Sequence, residues 1–197
     1  MNIVQHSAAR RVRAALVTTA IAGASVAGLL GTGAAQASTA GHRVAGIVVI
    51  DSCTGVSGKI TYSPGLRKTK VKAEHAVLSG TTSGCTDATQ GPMSGTGTFT
   101  AVLSGKASLA AENFKGTFTI NWPVSSGFNP STGTLSVTDS NGMENVSGAV
   151  TGGADTGTVL AMQYVITGDK GSGTKKHPVT AQAFVNSQSL TLSRNEG

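Results

Sequence analysis

Aromatic and charged residues are scarce in this chain. Of its 197 residues, 4% are aromatic and 12% are charged. A nucleic-acid-binding protein usually concentrates lysine and arginine on one face, with aromatic side chains between them. The sequence has no such concentration, so we expect no nucleic-acid partner.

Motifs of the common enzyme classes are also missing. The chain contains neither a G-x-S-x-G nucleophile motif nor a C-x-x-C redox pair. The histidines outside the N-terminal segment are His42, His75 and His177, and the nine acidic residues are scattered singly. His75 alternates in phase with apolar residues, which is typical of a hydrogen-bonded core histidine. We predict no catalytic residue, no metal site and no cofactor, and a hydrolase with an unrecognised site remains an alternative.

The first 37 residues predict export. Three arginines, the last of them Arg13, precede an apolar run of about 17 residues, and the segment ends in Ala35-Gln36-Ala37, a small-x-small cleavage pattern. The run is short for a membrane span. We therefore predict a signal peptide over residues 1–37, cleavage after Ala37, secretion, and no transmembrane segment after cleavage.

The remaining residues, 38–197, suit one domain. They number 160 and include 12 basic and nine acidic residues, which gives a net charge of +3. A chain of this length can bury most of its surface in one core. We predict a single secreted domain, and its oligomeric state stays open.

Cysteine is limited to Cys53 and Cys85. In an oxidising compartment two cysteines most simply form one disulfide. Closing a loop of about 32 residues stabilises a fold by about 3–4 kcal/mol in the chain-entropy description. No second cysteine or histidine lies at the short spacing of a zinc site.

Apolar residues alternate with polar ones along most of the secreted part. Phe118, Ile120 and Trp122, for example, share one face of a predicted strand, and the residues between them are polar. No segment keeps a helical period for three turns, so the sequence predicts an all-β domain of about ten strands. The predicted segments are 42–50, 56–62, 69–79, 97–104, 106–110, 114–122, 133–138, 144–151, 157–167, 178–185 and 188–193.

Short turns connect the predicted strands, including Ser104-Gly105, Asn141-Gly142, Gly152-Gly153 and residues 169–173. Without crossover helices, consecutive strands form an antiparallel meander. Such a meander either closes into an up-and-down β-barrel or folds into a two-sheet β-sandwich. We predict the barrel, because closure removes edge strands in a protein with few charges to protect them, and keep the sandwich as the alternative.

The scarcity of aromatic residues leads to the first functional hypothesis. A closed barrel with few bulky side chains can leave part of its interior unfilled, and unfilled barrels bind small apolar ligands. We therefore predict a secreted, non-enzymatic binder or carrier of a small apolar molecule. The expected lining residues are Phe99, Phe118, Trp122 and Tyr164.

A second hypothesis comes from lysine spacing. Lys68, Lys70 and Lys72 alternate along one predicted strand and so project on one face. This positive stripe predicts contact with an anionic envelope polymer. In that case the protein is a surface-binding or structural module of the cell envelope.

The layout resembles small uncharacterised secreted all-β proteins of actinobacteria. The resemblance rests on the signal ending in Ala35-Gln36-Ala37, the single cysteine pair, and the strands beginning Gly97-Thr98-Phe99-Thr100 and Gly116-Thr117-Phe118-Thr119. It implies source and compartment but no activity. Chromophore-carrying apoproteins of that group look similar in composition; they are Ig-like sandwiches, typically with two disulfides, that hold an apolar ligand.

Overall fold

The structure is a computed structural model, and it describes residues 46–69, 71–140 and 142–196. The predicted signal peptide, His42 and Lys70 lie outside these ranges. The described chain is all-β, with one 3-10 turn at Val124–Ser126. No helix within the described ranges has the length and apolarity that a membrane span requires.

Nine strands form one antiparallel sheet, in which β3 has only two residues. Their spatial order is β1-β9-β8-β7-β6-β5-β4-β2-β3, and β1 also pairs with β2, which closes the barrel. The barrel therefore has eight strands, with β3 as an extra strand beside β2. The strands are β1 Gly46–Leu66, β2 Lys72–Asp87, β3 Gly91–Pro92, β4 Gly97–Ser108, β5 Ala111–Asn121, β6 Ser131–Ser140, β7 Met143–Gly152, β8 Val159–Lys170 and β9 Val179–Glu196.

The barrel prediction is confirmed, and the chain does not form the alternative sandwich. From β4 to β9 each strand pairs with the next along the chain, as in a meander. Strand β1 also pairs with the next long strand, β2, but in addition it pairs with the last strand, β9, which an open meander would not allow. Pairing of the first and last strands leaves the eight-stranded ring without an open edge.

Three predicted breaks between strands are wrong, so eleven predicted segments become eight long strands. Gly105 is no turn: it faces inward within β4 and pairs with Phe114 of β5. The predicted break in β1 is a bulge, where its register with β9 shifts between Cys53 and Ser57. There the side chain of Asn186 accepts a hydrogen bond from the Val56 N–H at 2.9 Å, replacing a backbone partner.

The two ends of the barrel are distinct. The cysteine end contains Cys53 and Cys85, which are opposite each other on β1 and β2 and form the predicted disulfide. The tyrosine end contains Tyr62 of β1 and Tyr164 of β8. Strands β1, β4, β6 and β8 run from the cysteine end to the tyrosine end, and the other long strands run back.

The interior is filled by alternate side chains of all eight long strands. Twenty-seven apolar or aromatic residues are buried there. The Phe99 and Phe118 rings stack with centroids 6.1 Å apart, and the Tyr164 and Phe184 rings lie 4.9 Å apart. Aromatic pairs at these separations pack favourably, so the few aromatic residues are concentrated in the core.

Large inward side chains lie beside inward glycines. Gly116 pairs with Leu103 on one side and Leu135 on the other, and Gly133 pairs with Phe118. A Cβ atom at Gly116 would overlap the carbonyl oxygen of Val102 in the neighbouring strand. Glycine therefore lets the strands coil closely at these points, as a narrow barrel requires.

This packing predicts that Gly116→Ala destabilises the barrel by about 1–3 kcal/mol, the usual cost of overpacking. Gly168→Ala is the matched control, because Gly168 is an exposed β8 residue whose added Cβ meets nothing within 4 Å. Urea unfolding followed by circular dichroism measures both. Equal stability of the two variants would contradict the proposed role of Gly116.

Candidate functional site

Three acidic side chains on three neighbouring strands face inward at the tyrosine end, beside a fourth inward acid, Glu74 of β2, which pairs with Lys72. Glu112 is the second residue of β5, Asp139 lies near the end of β6, and Glu144 is the second residue of β7. Asp139 is directly opposite Glu144, which in turn is opposite Tyr164 of β8. Glu144 is 6% exposed and Tyr164 is fully buried, whereas Glu112 and Asp139 are half-buried. The carboxyl groups therefore form the inner rim of this end.

Tyr62 connects this rim to the other side of the barrel. Its hydroxyl oxygen lies 3.0 Å from Oε1 of Glu112 and 2.6 Å from Oε1 of Gln182. Gln182 donates from Nε2 to Oδ1 of Asp169 at 2.9 Å. The Asp169 carboxylate thus fixes the Gln182 amide so that its carbonyl oxygen faces Tyr62.

The number of hydrogens available in the Glu112–Tyr62–Gln182 hydrogen-bond series depends on the protonation state of Glu112. The Tyr62 hydroxyl has one hydrogen but two acceptors, Glu112 and Gln182. If Glu112 is protonated, it donates to Tyr62, which donates to Gln182, and both contacts carry a hydrogen. If Glu112 is ionised, it competes with Gln182 for the same hydrogen.

The pKa of Glu112 is raised to about 7. Burial is the main cause; the Tyr62 hydrogen bond acts in the opposite direction, and the charge of Asp139 raises the pKa further. Glu112 therefore changes its charge near neutral pH.

Glu144 and Tyr164 retain unused hydrogen-bonding capacity. Oε2 of Glu144 and the hydroxyl of Tyr164 are buried without a hydrogen-bond partner. Burial, and then repulsion from Glu112 and Asp139, raise the pKa of Glu144 to about 8. The pKa of Tyr164 is also raised, first by burial and then by the charges of Glu112, Glu144 and Asp139. Unpartnered buried oxygens are rare in folded proteins and need an explanation.

No cationic side chain of the described residues forms a salt bridge with these three acids. Among the described residues, Lys72 forms an ion pair with Glu74, with Nζ and Oε1 3.1 Å apart. Lys170, Lys175 and Lys176, which lie at or near the β8–β9 turn of this end, are exposed. Among the described residues, no three histidine, cysteine, aspartate or glutamate side chains are close enough to hold a metal ion.

The cysteine end holds a second acidic group. Asp51 is fully buried, and both of its carboxylate oxygens lack a hydrogen-bond partner. Its pKa is raised to about 8, first by burial and then by the neighbouring Asp155 and Asp87 carboxylates. Asp155 has a φ of 60°, in the left-handed region. The Ser131 hydroxyl oxygen accepts from the Trp122 indole at 2.9 Å and lies 2.7 Å from the Ala154 carbonyl oxygen and 3.1 Å from an Asp155 carboxylate oxygen, which compete for its one hydrogen.

The four predicted ligand-lining residues are all buried in the core. They do not surround one place: Trp122 packs against Phe128 at the cysteine end, while Tyr164 contacts Phe184 near the tyrosine end. Phe99 and Phe118 stack on each other. Contact of these four residues with a ligand remains a prediction.

The lysine stripe is not built as predicted. Strand β2 begins at Lys72, so Lys68 lies in the preceding bend, and Lys70 is outside the described residues. Lys72 is on the inward-facing side of β2, where it pairs with Glu74. Lys68 and Lys72 therefore share no outward strand face, and an anionic partner remains a prediction.

The predicted position of His75 is also wrong. His75 is exposed, together with Val71 and Val77, whereas Ala76 and Leu78 face the core. Both faces of this strand are rich in alanine, valine or leucine, so alternation alone could not choose between them. His177 is exposed in the β8–β9 turn.

The cluster of Glu112, Asp139 and Glu144 at the tyrosine end was not predicted from the sequence. A signal was present: Glu112 is in phase with Phe114, and Glu144 is in phase with Val146, along their strands. Acids in phase with core residues predict buried carboxyls. Their convergence depends on the alignment of neighbouring strands.

No profile of a known protein family, no curated protein and no solved structure matches this chain. The geometry of the two ends and of the outer surface is therefore the basis for inferring function.

The raised pKa values predict that the protein becomes less stable as the pH rises from about 5 to about 8. Asp51, Glu112 and Glu144 hold protons in the folded state that the unfolded chain has released over this range. Each such group lowers the free energy of unfolding by up to about 1.4 kcal/mol per pH unit. Urea unfolding at several pH values measures the slope.

Glu144→Gln should flatten this slope and make the protein more stable than the parent at pH 8, because glutamine stays neutral. Asp87→Asn is a comparison of opposite sign: burial raises the pKa of Asp87, but hydrogen bonds from Thr89 and Gln90 outweigh it and lower the pKa, so this variant should be less stable than the parent at pH 8. The contribution of Asp87 is lost only on acidification below the ordinary aspartate range. A stability that rises from pH 5 to 8 would contradict the assignment.

Proposed function

We propose that this protein is a secreted, non-enzymatic binder of a small organic cation. The ligand carries several N–H donors and is held at the tyrosine end by Glu112, Asp139 and Glu144. The observation that supports this most strongly is the pair of buried, unpartnered oxygens, Glu144 Oε2 and the Tyr164 hydroxyl, beside acids that lack a cationic partner among the described residues.

The chemistry of the rim favours a donor ligand. Ionised carboxylates only accept hydrogen bonds, and a tyrosine oxygen accepts as well as donates. An ammonium, amidinium or guanidinium group brings several N–H donors and a positive charge in one ligand. It would supply the missing partners of Glu144 and Tyr164 and remove the repulsion between Glu144, Glu112 and Asp139.

A polyatomic cation suits the spacing better than a metal ion. No three acids of the described chain converge closely enough for metal coordination. A planar or extended nitrogen group can span more widely separated oxygens.

Proton release would accompany binding. Glu112 and Glu144 have raised pKa values near 7 and 8, so part of the population is protonated at neutral pH. A bound cation favours the ionised carboxylates and expels those protons. The affinity should therefore increase as the pH rises from 6 to 8.5.

Isothermal titration calorimetry of the protein with benzamidine, benzylamine and spermidine tests the proposal. Benzyl alcohol is the neutral control for benzylamine. We expect the cations to bind, with proton release measured from two buffers of different ionisation enthalpy, and Glu144→Gln to weaken binding by about tenfold or more. Asp87→Asn, at the cysteine end, is the charge-matched control and should leave affinity unchanged.

Three results would reject this function: no binding of any of these cations at pH 8.5, equal affinity for benzylamine and benzyl alcohol, or an unaffected Glu144→Gln variant. Equal affinity for the neutral alcohol would favour the competing proposal from the sequence, a carrier of a purely apolar molecule. A Glu112→Gln variant provides a second check, because it preserves the hydrogen-bond donor that Tyr62 needs.

A further inference from the structure

Strand β8 extends past its neighbour β7 at the tyrosine end. Its pairing with β7 ends where Glu144 lies opposite Tyr164, whereas its pairing with β9 continues to Lys170 and Ala181. Among the described residues, the segment 165–170 therefore pairs on one side only, with β9. We call this segment the β8 edge.

An edge of this kind presents backbone N–H and C=O groups that have no partner in the sheet. Most of the β8 edge is accessible, because Thr167, Gly168, Asp169 and Lys170 are exposed. An extended peptide can satisfy such groups by adding to the sheet as a further strand. The β8 edge is therefore open to strand addition.

A strand added antiparallel to β8 would continue the line of β7 at the mouth of the barrel. Glu144 of β7 is opposite Tyr164, so an added residue opposite Ile166 would lie about 7 Å beyond Glu144 along that line. Ile166 is half-buried and packs against the core, so this residue would share the inward face. Its side chain would point into the mouth of the barrel beside Glu144.

Acidic groups lie on two sides of that position. Asp169 is opposite the inward, buried Gln182 and accepts a hydrogen bond from its amide at 2.9 Å, so this carboxylate is on the same face as Glu144. Oε2 of Glu144 is buried without a partner. Lys170, next to Asp169, alternates to the outward face. An inward basic side chain on an added strand would therefore lie near two carboxyl groups.

We infer that the cation bound at the tyrosine end is a lysine or arginine side chain of an extended peptide, which adds to the β8 edge as a strand. This inference rests on the proposed cation site and names the class of its ligand. The peptide backbone would pair with β8, and the basic side chain would bring N–H donors to Glu144 and Tyr164.

The β8 edge also limits which peptides can bind. It is only six residues long, and its register with β9 shifts between Ile166 and Gly168. Short, irregular edges that carry a lysine resist unspecific strand pairing. Lys170 on the outward face disfavours basic residues opposite it. The preferred peptide therefore has one basic residue facing the barrel and uncharged residues on either side of it.

Isothermal titration calorimetry at pH 8.5 with the peptide acetyl-Val-Thr-Arg-Thr-Val-amide tests the inference. Citrulline in place of arginine gives a neutral control of nearly the same shape. A second control carries N-methyl groups along its backbone, so it keeps the charge but cannot donate backbone hydrogen bonds to β8. We expect each control peptide to bind about tenfold or more weakly than the parent peptide.

Amide hydrogen exchange, followed by nuclear magnetic resonance, locates the bound peptide. We expect exchange to slow within the β8 edge when the arginine peptide binds, because its backbone would pair with the edge amides. Benzylamine, which has no peptide backbone, should leave exchange there unchanged. Glu144→Gln should weaken binding of the peptide, whereas Asp87→Asn, at the cysteine end, should not.

Equal affinity for the arginine and citrulline peptides, equal affinity for the N-methylated peptide, or unchanged exchange in the β8 edge would overturn the inference. Its failure is distinguishable from failure of the cation site itself. If benzylamine binds and N-methylation has no effect on the peptide, strand addition is rejected and the cation site stands. If neither benzylamine nor any of the peptides binds, both proposals are rejected.

Discussion

Closure of eight strands into one ring is the constraint on which the rest of this structure depends. An eight-stranded barrel has a narrow interior, just wide enough to be filled by its own side chains or to hold one small ligand. Large residues can fill it only where their neighbours are small, as where Gly116 lies between Leu103 and Leu135. Because side chains alternate between the two faces, a slip of one residue would turn a whole strand inside out. The ring therefore fixes, for every strand at once, which side chains face inward and which face solvent.

The same constraint places carboxyl groups inside the barrel. Glu112, Asp139 and Glu144 carry carboxyl groups, whereas most core residues are apolar. All three nevertheless lie on the inward face of their strands. Burial raises the pKa of both glutamates, so protons are part of the folded structure at this end. Asp51 shows the same behaviour at the cysteine end. The proposed cation binding would therefore be coupled to fold stability through the same protons at the tyrosine end.

On the outer surface, closure has a different consequence. Antiparallel register aligns residues from six successive strands into continuous rows, although Ser104 and Thr191 are 87 positions apart in the chain. Shallow depressions lie between these rows, for example beside Gly105 and beside Gly116, where the inward residue of the neighbouring row has no side chain.

The sequence by itself determined the all-β class, the meander and the Cys53–Cys85 bridge, because alternation, turn residues and cysteine number are local or countable properties. It favoured the barrel over the sandwich, but the pairing of β1 with β9 that closes the ring belongs to the tertiary structure. The sequence also located the turns at Gly142 and Gly153, but Gly105 was mistaken for a turn, since glycine serves both roles. Which face of β2 is buried, where His75 and Lys72 point, and which acids meet at the tyrosine end were decided only by the tertiary structure. These features depend on register between strands, and register is set by the packing of the closed ring as a whole.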